Sequence, residues 1–210
     1  GGDPVFLNIG NKHPIALFGG CYHAAAITSE SEVIFINRYS VNKSPNSLIA
    51  AVPLPEGEKA SSIACCSKSV VVLSSSGWVF SSTFEEESPL IKFSAVEELA
   101  GEEILCVSGA YEHCSALSRQ GRVFGCGSNN NGKLGLGKGI NSVSSFTEIS
   151  SLRGYEIRAA YAGDIRSLFE TREGKILSCG CNRNGELLLS SGPGDDVYSP
   201  SETTSLEKFN

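Results

Sequence analysis

The sequence has no methionine, one tryptophan and three histidines in 210 residues. Charged residues make up only 19% of it, below the ~25% usual in soluble domains. Each shortage excludes something. Without Met, Gly1 is not a translation start, so the chain reads as a processed product or a piece of a longer one. No apolar run approaches the ~18 residues of a membrane helix. The densest run, Val70-Val71-Val72-Leu73, is strand-sized, so no membrane partner is expected. Lys and Arg number 17 against 23 Asp and Glu, for a net charge of −6. Neutralising phosphates needs a cationic excess, so nucleic acid is not the expected partner. No segment keeps a helical period over a dozen residues.

The acidic excess is local. Residues 1–105 carry 6 cationic and 12 acidic side chains, whereas residues 106–210 carry 11 of each. Glu85-Glu86-Glu87 and the carboxylates from Glu97 to Glu103 form solvated loops or a face for a basic partner. Glycine (23) and serine (32) are abundant, which marks a chain that turns often. The eight cysteines lack the spacing of a disulfide framework. They read as small buried apolar residues in a reducing compartment, cytoplasmic or nuclear.

Two segments align without gaps. Tyr111 to Gly127 and Asp164 to Gly180 each run from an apolar strand through a polar turn ending in Gly to a second strand and Cys-Gly. Each continues into an Asn-rich loop, Ser128-Asn129-Asn130-Asn131-Gly132 and Cys181-Asn182-Arg183-Asn184-Gly185. Weaker copies run from Ser69 to Phe80 and from His23 to Ile34, the latter with Ser31 in place of the turn Gly. The turn anchors fall at Ser31, Gly77, Gly121 and Gly174, about 48 residues apart. That predicts four all-β repeats over residues 15–58, 59–101, 102–152 and 153–210 in a single domain. A period of 40–50 residues with about four strands per unit is the mark of β-propeller blades. One small sheet cannot bury both faces alone, whereas stacked blades cover one another. Small residues such as Ala24-Ala25-Ala26 and Cys114-Ser115-Ala116 suit the narrow inner strands.

The third unit resembles the repeat of the regulator of chromosome condensation family. The matching residues are Gly109 or Ala110 leading to His113, then Ala116-Leu117, Gly121, Val123-Phe124, Gly127-Ser128-Asn129, Gly132, Leu134 and Gly135. The fourth unit keeps Gly174, Gly180, Asn182, Gly185 and Leu187 but has Arg166 at the His position. The first keeps His23, Ala26 and Ile27, and the second Gly77-Trp78-Val79-Phe80. The resemblance implies a propeller of about seven blades, so four units form part of a ring, a four-bladed ring or an arc whose open edges self-associate. It also implies a non-enzymatic interaction module or, alternatively, nucleotide exchange on a Ran-like small GTPase. Chromatin docking would need a basic tail, and light reception needs clustered Trp, whereas Trp78 stands alone.

In family members acting on a small GTPase, the loops before the His position face the partner. Here those are Cys21-Tyr22, Tyr111-Glu112 and Asp164-Ile165, with Tyr22 and Tyr111 the leading residues because Tyr favours interface hot spots. The Asn-rich segment, with Asn129 and Asn130, is the second candidate loop. Gly127 to Leu134 nearly matches a phosphate-binding Gly-x-x-x-x-Gly-Lys-Ser/Thr loop, but Leu134 replaces the Mg²⁺-binding hydroxyl. The fourth unit has the same frame with Glu186 for Lys133, so the frame belongs to the repeat and the Lys is incidental. His113 is read as architectural, bonding backbone of an adjacent loop. Cys65-Cys66 and Cys179-x-Cys181 lack zinc-ligand spacing, and no Gly-x-Ser-x-Gly elbow is present. No cofactor or metal is expected. The basic residues of the last unit interleave with acids and read as mixed solvated charge. Asn42-Lys43-Ser44 is a formal glycosylation sequon.

Overall fold

The structure, a computed structural model, describes residues 11–19, 23–37, 52–67, 69–83 and 92–204. Tyr22, the acidic run at Glu85 and the sequon at Asn42 lie outside them. The described residues form four antiparallel sheets whose spatial order follows the chain. The first holds β1 (Pro14–Gly19), β2 (His23–Thr28) and β3 (Val33–Asn37). The second holds β4 (Ala60–Cys65), β5 (Ser69–Ser74), β6 (Val79–Thr83) and β7 (Ser94–Ala95). The third holds β8 (Ile104–Gly109), β9 (His113–Ser118), β10 (Val123–Ser128) and β11 (Ser142–Glu148). The fourth holds β12 (Ile157–Ala162), β13 (Arg166–Thr171), β14 (Ile176–Gly180) and β15 (Val197–Glu202).

One turn recurs in all four sheets, between the second and third strands. Ser31, Gly77, Gly121 and Gly174 have φ of 63°, 93°, 79° and 83°. Each donates its N–H to the carbonyl three residues back, on Thr28, Ser74, Ser118 and Thr171, at 2.9–3.1 Å. The hydroxyls of those same four residues accept the N–H of Glu32, Trp78, Arg122 and Lys175 at 3.1–3.2 Å. A hydroxyl at the first position and a left-handed residue at the fourth therefore close every hairpin. The residue after each hydroxyl, Ser29, Ser75, Arg119 or Arg172, donates its N–H at 2.8 Å to the carbonyl just before the first strand, on His13, Lys59, Glu103 or Glu156. Each first strand also carries a bulge, at Pro14/Ala16, Ala60/Ser62, Ile104/Cys106 and Ile157/Ala159. The two units that look degenerate in sequence thus keep the full frame.

The core lies between sheets. On β5, Val70 and Val72 pack with Ile27, Phe35 and Phe80 towards the first sheet, while Val71 and Leu73 pack with Val107, Ala116 and Phe124 towards the third. Leu117, Val123 and Ile149 of the third sheet meet Ala160, Phe169 and Leu177 of the fourth. A buried Val, Leu or Phe contributes about 1.5–3 kcal/mol, so each interface rests on its apolar cluster. None of these clusters joins the first sheet to the fourth, so the described sheets form an arc.

Successive sheets meet through their first two strands: β1 and β2 on β4, β4 and β5 on β8, and β8 and β9 on β12. The small-residue runs at Ala24 and Cys114 lie on β2 and β9, among these contacting strands. One expectation is corrected: Cys66 and Cys114 form a disulfide between the second and third sheets. Cys65, Cys106, Cys126, Cys179 and Cys181 are free, and burial pushes Cys65, Cys126 and Cys179 up to about 12, which suits apolar filling rather than reactivity.

Candidate partner-binding face

The loop before β9 and the loop after β10 leave the third sheet at one end, and glycine lets them touch. Gly127 has φ 103°, and a Cβ there would lie 2.2 Å from the Glu112 carbonyl oxygen. Gly180, its repeat equivalent, has φ 120° and would put a Cβ 2.4 Å from the Ile165 carbonyl. Asn129 then folds the following loop. Its Oδ1 accepts the Leu134 N–H at 2.9 Å, and its Nδ2 donates to the Gly137 and Ile140 carbonyls at 3.2 and 2.7 Å. Asn182 does the same in the fourth sheet, with Leu187 N–H and the Gly192 carbonyl at 3.2 and 3.0 Å. The Gly-x-Asn-x-x-Gly-x-Leu pattern is thus a self-satisfied loop. The N–H groups of Asn129, Gly132, Leu134 and Gly135 are all bonded within the chain, so they do not cradle a phosphate.

Lys133 is not incidental. Its side chain is 3% exposed and pairs with Glu112 at 2.9 Å, tying the Asn-rich loop to the loop before β9. That hydrogen bond holds the Glu112 carboxyl below its ordinary range. Beneath the pair, Ser167 Oγ donates to the Lys133 carbonyl at 2.7 Å and lies 2.9 Å from His113 Nε2. The hydroxyl has one hydrogen, and the carbonyl takes it. His113 must therefore donate from Nε2, which fixes the tautomer and leaves Nδ1 unprotonated and without a partner. Burial, and secondarily the Lys133 charge, pushes His113 down to about 4, so the ring is neutral at pH 7. The expected architectural role holds, but the direct partner is a serine of the next sheet, which relays the bond to loop backbone. In the fourth sheet Arg166 takes the His position and Glu186 the Lys position. The Glu186 carboxyl sits below its usual range, held by its own N–H and that of Asn184, then by Arg166.

Of the residues expected to face a partner, Tyr111 and Glu112 are half-buried at the loop tip, and Asp164 and Asn130 are exposed. The Tyr111 carbonyl accepts the Ser67 N–H at 2.6 Å, so this loop is braced on the second sheet. Asn129 is 1% exposed and turns inward, spent on its own loop. Asn131, at the end of the second candidate loop, donates from Nδ2 to Asp196, just before β15, at 2.7 Å. Sequence reasoning missed the role of the buried Lys133, for which an acidic residue at the neighbouring loop was the available signal. Among the described residues no three His, Cys, Asp or Glu gather to hold a metal. The basic residues of the last unit are mostly ion-paired: Arg153 with Glu148, Arg158 with Glu170, Lys175 with Glu202 and Arg183 with Asp196.

Four like antiparallel sheets, stacked through apolar faces and sharing one turn frame, define an open β-propeller-type repeat domain. Residues 120–168 match the family model of the Regulator of chromosome condensation (RCC1) repeat. Over 90 residues the chain is 38% identical to a mouse secretion-regulating guanine nucleotide exchange factor, covering 43% of this chain and 19% of that protein. Over 95 residues it is 36% identical to the human probable E3 ubiquitin-protein ligase HERC3, covering 45% of this chain and 9% of that one. The chain therefore matches less than a fifth of the length of either relative. Among solved structures, Saccharomyces cerevisiae Prp20p, described with its binding to Gsp1p and histones, superposes with a TM-score of 0.77 at 18% identity, over 91% of this chain and 50% of that one. Human WBSCR16 superposes with a TM-score of 0.70 at 17% identity, over 91% and 52%. At these identities the likeness is one of fold.

Proposed function

We propose that the chain is a non-enzymatic protein-interaction module that engages a protein partner through the loop face carrying Tyr111, Glu112, Asn130 and Asp164. One observation carries this reading. The chain His113–Ser167–Lys133–Glu112, buried up to its Glu112 end, fastens the two third-blade loops to each other and to β13 of the fourth blade, so exposed side chains stand on a rigid platform, as recognition loops require. A second reading, exchange of guanine nucleotide on a small GTPase, is favoured by the likeness to a secretion-regulating exchange factor. Exchange of that kind needs no nucleophile in this chain, only a loop that competes with the nucleotide. The free thiols support a cytoplasmic or nuclear location, and the Cys66–Cys114 bond pulls the other way.

Both readings meet one experiment. The purified chain is titrated against a panel of small GTPases, reading surface binding and release of a fluorescent nucleotide. The interaction reading expects saturable binding to at least one member, lost when Tyr111→Ala and Asp164→Arg are combined while the circular dichroism is unchanged. The exchange reading further expects accelerated release. Binding without acceleration removes exchange, and binding that survives the double substitution removes this loop face.

A further inference from the structure

The second and third blades are bonded at their loop end, and the surroundings of that bond suit both of its redox states. Cys66 follows β4, Cys114 is the second residue of β9, and they are 4% and 2% exposed. Val71, Val107, Ala116 and Phe124 pack in the same cluster, so the joint does not depend on the bond alone. Gly109 makes room for the Cys66 sulfur: a Cβ there would lie 2.9 Å from it. With the bond open, the Cys66 thiol has an acceptor in place, the His113 carbonyl 3.5 Å away. The bond also lies at the root of a loop. Ser67, the residue after Cys66, donates its N–H to the Tyr111 carbonyl at 2.6 Å, and the Ala110 N–H returns to the His113 carbonyl at 3.1 Å. Cys66 and Cys114 therefore bracket the backbone contact that braces the Tyr111–Glu112 tip on the second blade. The neighbouring thiols stand apart from this chemistry. A thiolate is the attacking species in exchange, and burial pushes Cys65, Cys126 and Cys179 up to about 12, so they stay protonated. Even Cys126, directly across from Cys114 on β10, is thereby kept from scrambling the bond.

We infer that Cys66 and Cys114 are a reversible thiol–disulfide switch that sets how firmly the Tyr111–Glu112 loop is held against the second blade. Opening takes a dithiol reductant. One of its thiolates attacks a sulfur of the bond, and the other protein sulfur leaves as a thiolate and takes a proton. The second thiol of the reductant then releases the first sulfur, so two electrons and two protons reach the protein. Closing takes a peroxide. One protein thiolate attacks its oxygen, becomes a sulfenic acid and releases water; the other thiol condenses on the sulfenic sulfur and releases a second water. Both sulfurs are buried, so either reagent enters only while the loop end of the joint is open. The switch belongs to the chain alone and does not need the loop to meet a partner.

Amide hydrogen exchange on the intact chain, first oxidised and then in dithiothreitol, tests this. Reduction should speed exchange of the Ser67 N–H by about tenfold or more, while amides in the middle of β5 keep their protection. Iodoacetamide under the same native conditions should label Cys66 and Cys114 and spare Cys65, Cys126 and Cys179. Hydrogen peroxide, added once the reductant is removed, should restore both the bond and the slow exchange. Cys114→Ser should exchange fast at Ser67 with or without reductant, and Cys126→Ala should respond as the wild type does. Unchanged Ser67 exchange on reduction overturns the inference. So does labelling of all the thiols together, which would mean that the bond opens only with global unfolding, and so does a reduced pair that peroxide fails to rejoin. No partner enters these readouts, so the loop-face reading stands or falls separately.

Discussion

Between the second and third blades, Cys66 at the end of one inner turn meets Cys114, the second residue of β9, and the two are covalently joined. Between the third and fourth blades, the same repeat positions hold Ala110 and Ser167. There Ser167 closes a hydrogen-bonded chain from His113 to the Lys133 carbonyl. One slot in the repeat is thus fastened by two chemistries. The first answers to thiol reagents and ignores protons; the second answers to protons and ignores thiols. They meet on β9, where His113 and Cys114 are adjacent and point to opposite blades. The repeat prescribes where a fastener goes and leaves its chemistry open.

The largest expected effect lies in what the two interfaces share. Gly127→Ala would force a side chain to 2.2 Å from the Glu112 carbonyl at positive φ, and should cost about 5 kcal/mol in urea denaturation. Gly174→Ala, at φ 83° with open space around it, should cost only about 1 kcal/mol and serves as the control.

Next comes the covalent fastener. It closes a separation of 48 residues, so Cys114→Ser should lower stability by about 4 kcal/mol, and reductant should lower the wild type towards the variant. An identical melting temperature with and without reductant would break the comparison.

The polar fastener should show itself in pH. His113 has a folded value of about 4 against an ordinary 6.5, so protons favour the unfolded chain. Stability should be full above about pH 6.5 and fall as pH drops towards 4, by about 3 kcal/mol. His113→Gln should flatten that slope. A sharper question is whether the fasteners are coupled through β9, and the pH slope measured in Cys114→Ser answers it: an unchanged slope means independent interfaces.

The smallest effect tests the hairpin frame. Ser118→Ala and Thr171→Val each remove one turn hydrogen bond and should cost about 1 kcal/mol alike, one beside each fastener.

The blade architecture was legible because it rests on local pattern. Turn glycines at 77, 121 and 174 and the Gly-x-Asn-x-x-Gly frame are short-range signals, and both fell where a backbone needs positive φ. Ser31 was legible by analogy, and its φ of 63° shows a serine filling the glycine slot. The hydroxyls of Thr28, Ser74, Ser118 and Thr171 were equally present, yet Ser and Thr are too common here to stand out. The contacts across blades were not legible, since Ser167 reaches His113 from 54 residues away. Nor did the repeat pair Cys66 with Cys114, which occupy different repeat positions on adjacent blades. The loop face was only partly legible. Asp164 and Asn130 do stand exposed, but Asn129, alike in type, is consumed by its own loop.

The His113–Ser167 contact has one more consequence. The Nε2 hydrogen of that ring is enclosed between the third and fourth blades, on a side chain only 1% exposed, and it has a single acceptor. Solvent deuterons can replace it only while the two blades part. Its imidazole resonance is therefore a built-in clock, and its decay in heavy water measures how often this arc breathes at one joint.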